Sequence, residues 1–509
     1  MMAAGVMTTG IQGVVALPIV LPLLGAASGV VFGAWRQVQR AITLVTLVSV
    51  LGVSIALLIE ADSTGYVVQS AGGWAAPLGI VLVVDRLAGI MLVVSAIVLL
   101  AVAVYAIGQA GEERQRVAFH PLYLVLAAGV SASFITGDLF NLFVAFEMML
   151  AASYVLITLG GRPDQIRSGM SYVVISLVAS TLFISALALL YAATGTVNMA
   201  DLSQRLGEVS PELRTGFSLL LLVVFGIKAG LFPLFFWLPD SYPTASGPVT
   251  AIFAGLLTKV GVYAIIRTQT LLFEPGETMG TVLLWVAGAT MVVGVIGAIA
   301  QDDMKRILAF HIISQIGYMI LGLGLFTVAG IAGAVFYVIH HIVVKTALFL
   351  VAGLVDRRAG SARLSEVGGL VRSAPVISAL FLIPALSLAG LPPFSGFLAK
   401  FALVDAGIEG RSWWIVATSL VVGLFTLFSM TKIWTGVFWG EADEAPGREP
   451  VVTDRLGSPL LMLVGTLALV GVSIAFSIAA GSLYELSERA AEDLLDPGRY
   501  VVAVLGERP

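Results

Sequence analysis

Residues 226–263 read GIKAGLFPLFFWLPDSYPTASGPVTAIFAGLLTKVGVY, with Lys228 and Lys259 set in apolar runs and Pro233 between them. Proline lacks a backbone N–H and clashes with the preceding turn, so a helix carrying Lys228 breaks at Pro233. Residues 383–403, IPALSLAGLPPFSGFLAKFAL, repeat the pattern, with Pro392 and Pro393 ahead of Lys400. In lipid, backbone freed by such a break is tolerated only where protein or water satisfies it. Interrupted helices in matching places of two halves point to an inverted repeat with an ion path at mid-membrane.

The rest of the chain supplies the membrane. Of its 509 residues 59% are hydrophobic and only 11% charged, and the mean hydropathy is +1.01. A soluble domain carries about 25% charged residues, so soluble enzymes, nucleic-acid binders and secreted domains are excluded. The net charge of −4 provides no basic patch for nucleic acid. There are no cysteines, and the four histidines are scattered. We therefore expect no metal, no cofactor and no enzymatic chemistry.

A spanning helix needs about 20 apolar residues. Fourteen segments qualify, near 11–32, 41–59, 78–109, 120–137, 139–160, 169–193, 216–239, 247–271, 280–300, 307–326, 329–355, 375–405, 412–438 and 458–480. The fold class is an all-α polytopic membrane protein with broken helices 7 and 12. Residues 1–115 hold helices 1–3, 116–272 a first repeat (helices 4–8), 273–440 a second (helices 9–13), and 441–509 helix 14 and a tail. The start reads as a short tail entering the first span, residues 60–77 as a small hairpin and 196–215 as a surface helix. Residues 440–455 read as a mobile cytoplasmic loop, and the stretch after 480 as an amphipathic subunit contact.

Alternate loops divide the basic residues unequally. Fourteen fall in one set, among them Arg36, Arg162, Lys305, Arg357 and Arg363, and seven in the other, including Arg205, Arg267 and Arg489. By the positive-inside rule both termini lie outside the cytoplasm. The remaining six of the 27 basic residues, Arg86, Lys228, Lys259, Lys345, Lys400 and Lys432, fall inside spans.

An ionisable side chain at mid-bilayer costs roughly 2.5–3.5 kcal/mol, so several in one chain require partners or water. Glu147 lies about eight residues into an apolar helix, whereas Asp138, near that helix's start, reads as a cap. His341 and Lys345 are four apart and share a face; His340 points away and reads as packing. Lys432 lies close enough to a helix end to snorkel, and Arg267 can reach the interface. Asp85 and Arg86 read as a structural or subunit-contact pair. The firm mid-span groups, one Glu against four Lys, are too unequal for a purely structural set of ion pairs. The unmatched lysines are costly unless wetted or neutral part of the time, which favours proton handling.

The runs DLFNLFVAFEMML, GIKAGLFPLFFWLPDSYPTASGPVTAIFAGLLTKVGVY, DDMKRILAFHIISQIGYM and HHIVVKTALFLVAG together resemble the antiporter-like subunits shared by respiratory complex I, membrane-bound hydrogenases and Mrp-type cation/proton antiporters. FHIISQIGYMILGLG and IHHIVVKTALFLVAGLV are similar in particular to the D-type subunits of the Mrp branch of multisubunit Na+/H+ antiporters. The resemblance implies fourteen helices with two inverted five-helix repeats. It also implies a proton path through Glu147, Lys228, Lys259, His341, Lys345 and Lys400, and work within a hetero-oligomer of membrane subunits in a prokaryotic cell membrane. Protons would exchange for a monovalent cation, Na+ by family. The alternative it leaves open is a proton-pumping subunit of a complex I or hydrogenase assembly.

Overall fold

The computed structural model describes residues 13–109, 118–273, 276–440 and 460–506. The starting tail, most of the 440–455 loop, and Arg114, Arg116, Arg448, Arg455 and Arg508 lie outside them. Among the described residues fourteen helical segments follow in order: α1 (Leu17–Val31), α2 (Arg36–Thr64), α3 (Arg86–Gly108), α4 (Phe119–Ile135), α5 (Leu139–Thr158), α6 (Pro163–Thr194), α7 (Pro211–Ala229), α8 (Gly247–Leu271), α9 (Glu277–Ile299), α10 (Met304–Gly324), α11 (Val328–Ala359), α12 in two halves (Pro375–Ala389 and Ser395–Glu409), α13 (Trp413–Trp439) and α14 (Leu460–Ile478). Ten of these helices are individually long and apolar enough to cross a membrane. α8, α10 and α11 are buried almost throughout, while α2, α13 and α14 keep most of their apolar surface outward. That is the pattern of a bundle whose solvent is lipid.

Hydrogen bonds make the internal repeat explicit. Leu139 N donates to Val197 O and Met199 N to Gly137 O; 165 positions later Met304 N donates to Ala362 O and Leu364 N to Asp302 O. The bridge between Asp138 and Asn198 recurs between Asp303 and Arg363 at the same spacing. Asp138 and Asp303 each cap the following helix through a side-chain oxygen. α6 and α11 are both 32 residues long. Each unit contributes five spans, and an odd number forces the two units to run in opposite directions.

The breaks in α7 and the first half of α12 also match. Each helix ends at a left-handed glycine, Gly230 at φ +79 and Gly390 at φ +87. In both, the glycine N–H and the next one turn back to a single carbonyl, Gly226 O (2.9 and 3.0 Å) and Leu386 O (3.1 and 3.1 Å). The interruption therefore falls three residues before Pro233, not at it. The residue preceding a proline is already pushed out of the helical region, and the glycine makes an earlier stop cheaper.

Several sequence expectations need correcting. The third span begins at Arg86, not near 78. Val81–Val84 instead pairs antiparallel with Val67–Ser70, so the hairpin extends past residue 77. Hydropathy alone does not separate a short β-branched run from helix. Asp85 sets the true start by accepting a hydrogen bond from Ala88 N at 2.8 Å. Residues 196–215 do not form one surface helix: Met199–Arg205 is a short α-helix whose Met199, Ala200, Asp201 and Leu202 are buried, and residues 211–215 already belong to α7. The amphipathic tail helix α15 (Ala480–Leu495) lays its buried face on α11 of the same chain, with Tyr484 against Phe336. A further helix, α16 (Pro497–Leu505), follows it.

Asp85 and Arg86 do not pair with each other. Asp85 takes Arg267 (2.6 Å), so Arg267 is buried at 5% exposure and does not sit at the interface. Arg86 takes Asp62 (2.8 Å) and Asp493 (2.5 Å). These pairs join α2 and α8 to the start of α3, and α3 to the tail helix that carries Asp493. Lys432 binds Ile299 O, Gln301 O and Asp302 at one end of the bundle.

Candidate functional site

Packed aromatic rings, one pair stacked and one edge-to-face, hold α5, α6 and α7 together. Phe146 lies 5.9 Å from Phe225, and Phe183 lies 5.0 Å from Phe225. Their packing places Glu147, on a half-buried face of α5, beside Ser180 of α6, whose hydroxyl donates to Glu147 Oε1. Lys228, in the last turn of α7, donates to Ser176 O (3.1 Å) and reaches Ser180 Oγ (3.5 Å). Among the described residues Glu147 and Lys228 share no direct ion pair; Ser180 stands between them. A cavity with room for about one water, bounded by Tyr172, Ser176, Lys228, Trp237 and Tyr242, adjoins the lysine.

α8 departs from regular geometry at Phe253–Leu257, which form a π-helical turn, a distortion frequent at functional sites. Lys259 follows it at 0% exposure, and its Nζ bonds Ala254 O at 2.5 Å. Gly255 in that turn faces Thr346 and Ile342 of α11; a methyl there would lie 3.5 Å from Ile342 O. The turn therefore docks beside His341 and Lys345, both 0% exposed. Neither ring nitrogen of His341 nor the Nζ of Lys345 has a hydrogen-bond partner among the described residues. Buried polar groups of this kind call for water.

Aromatic and amide groups continue the line. Tyr337 stacks on His341 at 6.4 Å and donates its hydroxyl to Gln315 Oε1. Tyr318 stacks on Tyr337 at 5.3 Å, and the Lys400 ammonium lies 5.1 Å from the Tyr318 ring centre, within cation–π reach. Lys400 Nζ also donates to Leu388 O (3.0 Å) and Ala389 O (3.1 Å), across the break in α12. Its stem lies over Gly390, where a Cβ would come within 2.8 Å of Lys400 Cδ. His340, which read as packing, bonds Ser395 Oγ at 2.9 Å, where the second half of α12 begins. His311 bonds Ser429 Oγ at 2.9 Å.

Of the six residues singled out in the sequence, Glu147 and Lys228 meet through Ser180, Lys259 lies where the π-helical turn of α8 packs on α11 beside His341 and Lys345, and Lys400 reaches the Tyr318 ring next to Tyr337. None bonds another directly among the described residues; hydroxyl, carbonyl and aromatic groups intervene. Those intermediates, Ser176, Ser180, Gln315, Tyr318 and Tyr337, escape a search for charge. A signal for two of them exists. The 165-residue offset aligns YVVISLVAST (172–181) with YVIHHIVVKT (337–346), so Ser176 and Ser180 occupy the places of His341 and Lys345.

The sequence and structure have known counterparts. Residues 136–426 match the family model described as NADH:quinone oxidoreductase/Mrp antiporter, TM. Over 502 residues, 97% of this chain and 100% of the relative, the chain is 45% identical to the D-type Na(+)/H(+) antiporter subunit of Alkalihalophilus pseudofirmus. It superimposes on a chain of the Mrp complex from Dietzia sp. at a TM-score of 0.90, with 34% identity, covering 97% of this chain and 99% of that one. The archaeal membrane-bound sulfane sulfur reductase, a respiratory membrane complex, holds a chain matched at a TM-score of 0.86 and 26% identity, covering 97% and 100%.

Proposed function

Because the chain belongs to the NADH:quinone oxidoreductase/Mrp antiporter family of membrane subunits, we propose that it is the proton-carrying subunit of a multisubunit Na+/H+ antiporter of the Mrp type. Protons driven by the proton motive force exchange there for a monovalent cation, and the chain itself catalyses no chemical conversion. The observation that supports this reading is that buried or half-buried titratable groups are set in the helices of both repeats, Glu147, Lys228 and Lys259 in the first and His341, Lys345 and Lys400 in the second. Glu147 and Lys228 take up and release a proton at the first break; Lys259, His341 and Lys345 pass it through water; Lys400 receives it at the second. Among the described residues the hydrogen-bond partners of Lys228, Lys259 and Lys400 are carbonyls and a hydroxyl, none a carboxylate, which suits a lysine that must change protonation state. The basic-residue asymmetry supports both termini on the extracytoplasmic face of a prokaryotic cell membrane. Residues 116–272 and 273–440 serve as the two transport units.

The test is dissipation of a pH gradient on adding Na+ to vesicles that contain the complete complex. Wild type exchanges, and Glu147→Gln is silent while still assembling. Normal exchange by that variant removes Glu147 from the path. The subunits that copurify with the chain separate this reading from a redox-driven pump: small membrane subunits support antiport, and iron–sulfur subunits contradict it.

A further inference from the structure

We infer that Ser180 is itself a member of the proton line, the hydroxyl through which Lys228 and Glu147 exchange a proton. This rests on the proposed proton path and adds a residue to it. Among the described residues Glu147 and Lys228 share no ion pair, and the side chain bonded to both is Ser180. Its hydroxyl donates to Glu147 Oε1 and accepts from Lys228 Nζ at 3.5 Å. A hydroxyl carries one proton and two lone pairs, so it can give to one neighbour while taking from another. The step balances without any other reactant. A proton passes from the Lys228 ammonium to Ser180 Oγ as the proton already on Oγ passes to Glu147, leaving a neutral amine, a neutral carboxyl and an unchanged serine. The reverse step restores both charges.

The repeat provides a second, independent observation. One repeat later, at the same place on a helix of the same length, the chain carries Lys345, and Ser176 likewise corresponds to His341. In both units this face of the long helix points at the line. One unit equips it with titrating groups and the other with groups that relay. Lys228 is additionally held by Ser176 O at 3.1 Å, a backbone acceptor that carries no proton to give, so of its two hydrogen-bond partners among the described residues Ser180 is the one that offers transfer.

The discriminating experiment compares Ser180→Thr with Ser180→Val in the complete complex. The two replacements have the same shape and differ in the hydroxyl. We expect Ser180→Thr to keep at least a third of wild-type Na+-dependent exchange and Ser180→Val to fall at least tenfold, with equal yields of assembled complex. Equal activity of the two overturns the inference. Should Ser180→Val fail to assemble, Ser180→Ala replaces it; a relay predicts lower exchange than Ser180→Thr across the whole pH range, and overlapping profiles contradict it. Glu147→Gln measured in parallel separates this from the wider reading: a silent Glu147→Gln beside a fully active Ser180→Val rejects only the serine, whereas an active Glu147→Gln rejects the path.

Discussion

The two repeats share a backbone and differ in where they keep their charge. In the first, the lysine belongs to the broken helix: Lys228 lies two residues before Gly230, and α6 faces it with serines. In the second, the matching residue two before Gly390 is Leu388, and the lysine comes from across the break, Lys400 reaching back to Leu388 O and Ala389 O. Only the second route brings an ammonium to the terminal carbonyls of an interrupted helix, which lack intrahelical partners; in the first, the ammonium crosses to the middle of α6. What also differs is the neighbouring long helix, hydroxyl-bearing in α6 and titratable in α11. Fold symmetry thus fixes the places where charge is tolerated, and side chains decide which place in each unit is used.

This comparison is open to attack at several strengths. The largest effect is expected for Lys228→Met and Lys345→Met. Each should reduce Na+-dependent exchange about 10²-fold or more, the scale on which positioned proton-transfer groups act, with the complex still assembled. Loss in only one variant would show that the repeats do not act in series. Asp85→Asn tests a charge that holds without carrying protons. It leaves Arg267 buried without its carboxylate, which costs about 3–5 kcal/mol, read as a lower melting temperature of the solubilised complex; exchange per folded complex should stay near wild type.

Gly390→Ala and Gly230→Ala compare the breaks themselves. A left-handed alanine costs about 1–2 kcal/mol at either. The loss in thermal stability should be greater at Gly390, where the new methyl meets Lys400 at 2.8 Å, than at Gly230, where Leu238 is 3.2 Å away. Lys432→Met should matter least, below about 1 kcal/mol, because its Asp302 partner is largely exposed; a melting curve checks it.

Spans and broken helices were legible in the sequence because each rests on a strong local signal, a run of apolar residues or a proline near an ionisable group; the six residues proposed for the path stood out as ionisable groups in apolar helices. The hairpin strand at Val81–Val84 was read as helix because four apolar residues satisfy either geometry, and only the Asp85 cap, a contact made in space, decides between them. Arg267 read as interfacial because its partner, Asp85, lies far away in sequence. Ser176, Ser180, Gln315, Tyr318 and Tyr337 escaped for a different reason. Neutral polar residues are common in membrane helices, and their importance here comes from what they touch. The equivalence of Ser180 with Lys345 was in the sequence all along, but at a spacing recognised only once the paired hydrogen bonds gave the offset.

The central claim is that buried amines and imidazole are joined by water through the middle of the bundle. An experimental density map of the assembled complex, at a resolution that shows ordered water, tests it most directly. The account predicts water within hydrogen-bonding distance of Lys345 Nζ and of His341, continuing toward Lys259 on one side and Gln315 on the other. Dry aliphatic packing around Lys345 and His341 would contradict it.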